Sequence, residues 1–226
     1  MAFWNVENLF DTNDDPDKND ETFLPLEKKR TAVMQNKCRV QNNLYSDKKK
    51  SKDAKDKLIE LEQEEDGMQE FFTQLRVNEC LTKDWSERVL ERKMARLTDV
   101  LEQVNEGLGP DILILQEVEN ENVLKIWRER FLNKMNYKTL VLIEGPDERG
   151  IDTAILSRLE QAEPARLHPV NFDLVPEIEA HDRRPTRGIL EARLKLPDGQ
   201  TLAVFSVHFP PQGASSAHRR AAALSL

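Results

Sequence analysis

Two short segments hold the side chains with the clearest chemical meaning. Phe3-Trp4-Asn5-Val6-Glu7-Asn8-Leu9-Phe10 and Ile112-Leu113-Ile114-Leu115-Gln116-Glu117-Val118-Glu119-Asn120 each put carboxylate and carboxamide oxygens where an apolar strand should end. Open α/β sheets bind ligands at such ends, because the strand is anchored in the core while its last residues and the following loop face a crevice. Hard oxygen donors grouped there suit Mg²⁺ or a similar cation, so phosphate chemistry is the leading expectation. Glu117 is the sharper of the two signals. A carboxylate just beyond the buried run Ile112 to Leu115 must reach solvent, pair with a cation or raise its pKa.

His208 closes the apolar run Leu202 to Val207 and precedes Phe209-Pro210-Pro211, which cannot continue a paired strand. An imidazole at a strand end beside a loop is a candidate general acid or donor to phosphate oxygen. Asp152 opens another strand and is placed to orient such an imidazole. Arg149 and Arg187 offer the planar donor fork that suits phosphate, although Arg149 also has Asp147 and Glu148 as near neighbours to pair with. A zinc enzyme is a poor reading, since His168, His181, His208 and His218 show neither H-x-x-x-H nor Cys/His spacing.

These groups need a scaffold of strands and helices. Residues 2 to 6 read as a short buried strand, followed by a turn-rich acidic loop from Asp11 to Asp17, taken as solvated because it lacks a calcium-loop pattern ending in a bidentate Glu. Residues 27 to 83 are charged and poor in Gly and Pro, with Leu58, Leu61, Met68, Phe72 and Leu75 at helical spacing. A clearer helix carries Leu90, Met94, Leu97, Leu101 and Val104 on one face, with Asp84 and Glu87 as a capping pair and Gly107, Gly109 and Pro110 as its stop. Residues 111–116 then read as a strand buried on both faces, and Leu124, Trp127, Phe131 and Met135 as another helical stripe. Strands are predicted at 139–143 and 151–156, irregular chain at 160–186, and an antiparallel hairpin of 187–196 with 201–208 around Pro197-Asp198-Gly199-Gln200. The sheets are therefore mixed.

Composition sets the outer limits. The 226 residues, 38% hydrophobic and 33% charged, suffice for a globular core. Forty-one acidic against 33 basic residues give a formal charge of −8, which argues against gripping nucleic acid over a broad basic face but leaves a local basic cleft open. No run reaches the roughly 18 apolar residues of a membrane span, and the start lacks the pattern of a signal peptide. The chain reads as soluble, with an upstream export signal left open. Cys38 and Cys80 lie in a charged segment without C-x-x-C spacing and read as free thiols.

The motifs gain specificity from their order. N-V-E-N-L at 5–9, L-Q-E-V-E-N at 115–120, R-G-I-D-T-A-I-L-S-R at 149–158, R-G-I-L at 187–190 and V-H-F at 207–209 closely resemble the endonuclease/exonuclease/phosphatase superfamily of deoxyribonuclease I-like enzymes. The resemblance covers nearly the whole chain apart from 27–83, which looks like a helical insertion. It implies an α/β fold, a four-layer α/β sandwich with mixed β-sheets, and residues 1–226 forming a single partial domain incomplete at the C-terminus. By the same resemblance Glu117 and Asn5 would sit at a Mg²⁺ or Mn²⁺ ion, with Glu117 the main ligand. His208 would contact the scissile phosphate, Asp152 would support it, and Arg187 with Arg149 would hold the phosphate.

The implied activity is a metal-dependent phosphoesterase that uses water as nucleophile, with nucleic acid the preferred substrate. Two departures qualify it. Ser206 stands where the family has Asn before the strand-end His, and the later Asp-x-Asn and Asp-His motifs are missing, so the chain alone is expected to be very weak or inactive. The competing reading is a non-catalytic binding module that uses the 27–83 insertion as its partner surface. Oligomeric state is left open.

Overall fold

The apolar run that ends in Glu117 becomes the centre of the fold. The computed structural model describes residues 1–40, 74–183, 186–211 and 215–226. These form two compact units, Met1–Asp11 with Glu91–Leu226, and Thr12–Leu90. Both sheets belong to the first. In chain order its strands are β1 (Ala2–Leu9), β2 (Ile112–Val118), β3 (Thr139–Leu142), β4 (Asp152–Ser157), β5 (Gln161–His168), β6 (Ile189–Lys195) and β7 (Thr201–Ser206). One sheet runs β1-β2-β4-β3 and the other β5-β6-β7. The β1–β2 pair is parallel and every other pair antiparallel, so the mixed-sheet expectation holds.

The sheets pack face to face. Ile112, Ile114, Val141 and Ile155 of the first meet Leu190, Ala192, Leu194 and Val204 of the second in one apolar cluster. β2 and β6 give alternate residues to this layer, as a pleated strand must. Helix Glu121–Arg130 buries Val123, Leu124 and Trp127, and the Trp127 indole N–H donates to the Thr98 hydroxyl of helix Glu87–Leu101 at 3.0 Å. A smaller cluster of Val175, Ile178 and Ala221 seats helix Ser216–Leu224 on the segment around Phe172. The result is the expected α/β sandwich.

Several local expectations shift. β1 extends to Leu9 and is an edge strand with Phe3 and Asn5 exposed, not a short buried one. Residues 161–168, expected to be irregular, form β5. Pro164 masked it, yet proline is tolerated because β5 is an edge strand whose register breaks on both sides of that residue. Helix Glu87–Leu101 begins at Glu87 itself, so Asp84 and Glu87 do not form a capping box; Asp84 Oδ1 instead accepts the Leu26 N–H at 3.2 Å. Val104 falls past the helix end and is exposed, while Thr98 takes the buried place.

In the second unit the cysteine reading is overturned. Cys38 and Cys80 form a disulfide across 42 residues, fully buried, and neither is a free thiol. They sit in helical stretches 32–40 and 74–82 whose Cα atoms approach to 5.7 Å. A long separation between two charged helices leaves no local spacing to read. Of the stripe predicted for 27–83, Leu58, Leu61, Met68 and Phe72 lie outside the described residues, and Leu75 is exposed.

Candidate active site

Glu117 leaves the core because the sheet bulges under it. The β2–β4 register runs Gln116 to Thr153 and then Val118 to Asp152, so Glu117 is an extra residue without a partner on β4. On the other side the β1–β2 register jumps from Asn5–Gln116 to Leu9–Val118. The extra residues take left-handed backbone: Glu7 at φ 52°, Asn8 at φ 64° and Glu117 at φ 62°. Such conformations cost non-glycine residues about 1 kcal/mol or more, and bulges of this kind re-aim side chains beside active sites. Here two adjacent strand ends carry them together.

Across this break Asn5 Nδ2 donates to Glu117 Oε1 at 3.0 Å. The other end of the amide is held as well, since Asn5 Oδ1 accepts the Glu7 N–H at 2.9 Å. Asn5 thus presents an NH₂ group to Glu117, and a carboxamide nitrogen is no ligand for a hard cation. Behind them the strand ends are tied by Glu119, whose N–H donates to Leu9 O at 3.0 Å and whose Oε2 accepts the Asp11 N–H at 2.6 Å. Asn120 caps helix Glu121–Arg130 through the Val123 N–H and also donates to Asp11.

His208 arrives from the other sheet. Its Nε2 lies 3.7 Å from Glu117 Oε1. Its Nδ1 meets Arg187 Nη1. A guanidinium only donates, so Nδ1 accepts and the ring proton resides on Nε2, facing Glu117. Burial, and then the adjacent Arg187 charge, lower the His208 pKa to about 4. The ring is therefore neutral near pH 7. Gln116 fixes the approach by donating from Nε2 to Val207 O, which links β2 to the end of β7.

Arg187 is buried, and desolvation lowers its pKa despite the opposing charge of Asp147. Its Nε lies 3.2 Å from Asp147 Oδ2. Asp147 Oδ1 accepts the Arg149 N–H at 2.9 Å, and Arg149 Nε lies 3.4 Å from that same oxygen. Arg149 remains half exposed at 47%. One carboxylate thus holds both candidate phosphate-binding arginines.

Asp152 is buried at the start of β4, and its Oδ1 accepts the Gly145 N–H at 2.9 Å. Any Cβ at residue 145 would lie 2.8 Å from that oxygen, so glycine is needed there for close approach. The imidazole partner observed for orientation is Arg187, where Asp152 was expected. Ser206, in the place of the family's Asn, is fully buried, and its hydroxyl has no hydrogen-bond partner among the described residues. Ser206 therefore does not orient the site.

Asn5, Glu117, His208 and Arg187 thus come together, Arg149 stands one carboxylate further out, and Asp152 supports the 145 loop. Sequence reasoning missed Asp147 and Gln116 as organising groups. Asp147 left a signal, two residues before Arg149 in a Pro-Asp-Glu-Arg-Gly turn; the Gln116 role depends on how two sheets stack and has no local trace.

A divalent cation fits this donor set. Glu117 offers a partly exposed carboxylate, and Oε2 has no partner among the described residues. Mg²⁺ is commonly held by one or two carboxylates while keeping several waters.

Comparison with known proteins adds the following. The family model for the Endonuclease/Exonuclease/phosphatase family matches residues 1–67 and 56–225. No curated protein matches. A solved structure, an endonuclease/exonuclease/phosphatase from Beutenbergia cavernae DSM 12333, is similar at 15% identity and a TM-score of 0.43, over 54% of this chain and 34% of that one. The present chain thus spans about a third of that structure's length.

Proposed function

Since the chain belongs to the endonuclease/exonuclease/phosphatase family, we propose that it is a divalent-metal-dependent phosphoesterase, with a phosphodiester of nucleic acid as substrate. The observation that carries this reading is the convergence of Glu117, Asn5, His208 and Arg187, drawn from the register break in β1, the ends of β2 and β7 and the entry to β6. Glu117 holds Mg²⁺ or Mn²⁺, and Asn5 acts as a positioning residue that fixes the carboxylate. When bound, the cation withdraws charge from phosphate oxygens as a Lewis acid.

The remaining roles belong to fixed donors. His208, neutral and carrying its proton on Nε2, donates to a non-bridging phosphate oxygen. Arg187 supplies a permanent positive charge whose direction is set by Asp147 and His208. Because both are oriented beforehand, they meet charge developing on the phosphate without reorganising. Arg149 extends this positive edge towards the flanking part of the substrate. The described residues 27–40 and 74–83 belong to the compact unit Thr12–Leu90 and not to the unit that holds the two sheets, which supports reading 27–83 as an insertion.

Hydrolysis of a short DNA duplex and of bis(4-nitrophenyl) phosphate tests the proposal. Cleavage is expected to need Mg²⁺ or Mn²⁺, to stop with EDTA and to fall at least about 100-fold in E117A. Preference for a lipid-headgroup or sugar phosphodiester over DNA would replace the substrate class, and cleavage unaffected by E117A would overturn the site.

A further inference from the structure

The second unit contains a knot of carboxylates that the phosphoesterase reading does not use. Asp14, Asp20 and Glu21 each place one carboxylate oxygen within 4.8 Å of the others. Asp20 and Glu21 are both 1% exposed. The sequence presents residues 11–17 as a solvated acidic loop; Asp20 and Glu21, just beyond it, are buried.

Asp20 sets the cluster apart from an ordinary ion-pair network. Its Oδ2 accepts the Asp15 N–H at 3.0 Å, while Oδ1 is buried with no hydrogen-bond partner. An isolated ionised carboxylate is among the most costly groups to bury, so it either takes up a proton or acquires a cation. One cation beside it, Lys37 Nζ, lies 3.3 Å from Asp14 Oδ2 and 3.3 Å from Glu21 Oε1. With all three ionised, the carboxylates set against the Lys37 ammonium leave a formal charge of −2. That is the charge a divalent ion balances.

The number of carboxylates favours the larger ion. Oxygens bound to Ca²⁺ at about 2.3–2.6 Å span up to roughly 5 Å across the ion, whereas Mg²⁺ requires a tighter octahedron near 2.1 Å and prefers to keep its water. Three protein carboxylates match the larger, more flexible coordination. We propose that Asp14, Asp20 and Glu21 form a calcium site that closes the 14–21 loop, with Asp20 Oδ1 as its buried ligand and Lys37 as an internal competitor for the same oxygens. The site stands on different residues from the strand-end site and does not depend on its function.

Calorimetric titration of the metal-stripped 226-residue chain carrying E117Q, with CaCl₂ and separately with MgCl₂, isolates this site from the strand-end carboxylate. One equivalent of Ca²⁺ should bind, at least tenfold more tightly than Mg²⁺, and raise the melting temperature. D20N should weaken binding at least tenfold. Should D20N misfold, D14N, at a partly exposed ligand, should give a similar loss in a folded chain. K37Q should tighten Ca²⁺ binding, whereas a plain ion-pair network predicts only destabilisation. Absence of Ca²⁺ binding in E117Q, tighter Mg²⁺ than Ca²⁺ binding, or affinity unchanged in folded D14N would each overturn the proposal.

Discussion

Asn5 and Glu117, 112 residues apart in sequence, are joined at 3.0 Å between Asn5 Nδ2 and Glu117 Oε1, across the point where two parallel strands lose their register. The bond turns two local irregularities into one rigid feature. Removing it should loosen Glu117 without exposing core, since Asn5 itself is exposed. N5A is therefore expected to lower Mn²⁺ affinity about 10- to 100-fold, as is usual for groups that orient a metal ligand, with a stability change under about 1 kcal/mol. Mn²⁺ binding followed by electron paramagnetic resonance, beside a thermal melt, checks both.

His208 should make metal-free stability depend on pH. Its pKa is lowered to about 4 in the fold, by burial first and Arg187 second, against an ordinary 6.5. The unfolded chain therefore takes up a proton between pH 6.5 and 4 while the folded chain does not. The stabilisation is fully present above about pH 6.5 and is lost as pH falls towards 4, up to roughly 3 kcal/mol. Urea unfolding of the metal-free protein at pH 7 and pH 4.5 should show this loss, and H208N should remove that part of it.

Reducing Cys38–Cys80 should destabilise the Thr12–Leu90 unit. Closing a loop across 42 residues restricts the unfolded chain by about 4 kcal/mol in the loop-entropy treatment. Trp85, buried against Phe23 with ring centres 5.2 Å apart, reports on that unit. Its fluorescence in a urea titration should shift to lower midpoint with dithiothreitol or in the C38S/C80S variant.

A side chain at residue 145 should be destabilising. In G145A the new Cβ would lie 2.8 Å from Asp152 Oδ1 and strain the loop that leads to Asp147. A cost of about 1–3 kcal/mol is expected. Circular dichroism melts measure it, and phosphate affinity should fall with it because Asp147 carries Arg187 and Arg149.

What the sequence revealed and what it hid follow from how far each signal reaches. The buried run Ile112 to Leu115 and the breakers around His208 act over a few residues, and β2, β7 and the strand-end carboxylate were legible from them. The Pro197–Gln200 turn likewise gave the β6–β7 hairpin. β5 was hidden because Pro164 and charged residues suit an edge strand as well as a loop. Glu117's left-handed backbone, the Gln116 link between sheets and the Cys38–Cys80 bridge arise from packing between distant segments, which no local pattern records. The contact between Arg187 and the His208 ring likewise joins residues 21 apart and leaves no local pattern.

The central claim is that Glu117 anchors a cation against which His208 and Arg187 bind phosphate. Titration of inorganic phosphate into the chain with and without Mg²⁺, followed by ³¹P NMR, tests it most directly. The account predicts Mg²⁺-dependent phosphate binding that is lost in E117Q and weakened at least tenfold in R187Q, with both variants folded. Phosphate binding that is indifferent to Mg²⁺ and unchanged in folded E117Q would contradict it.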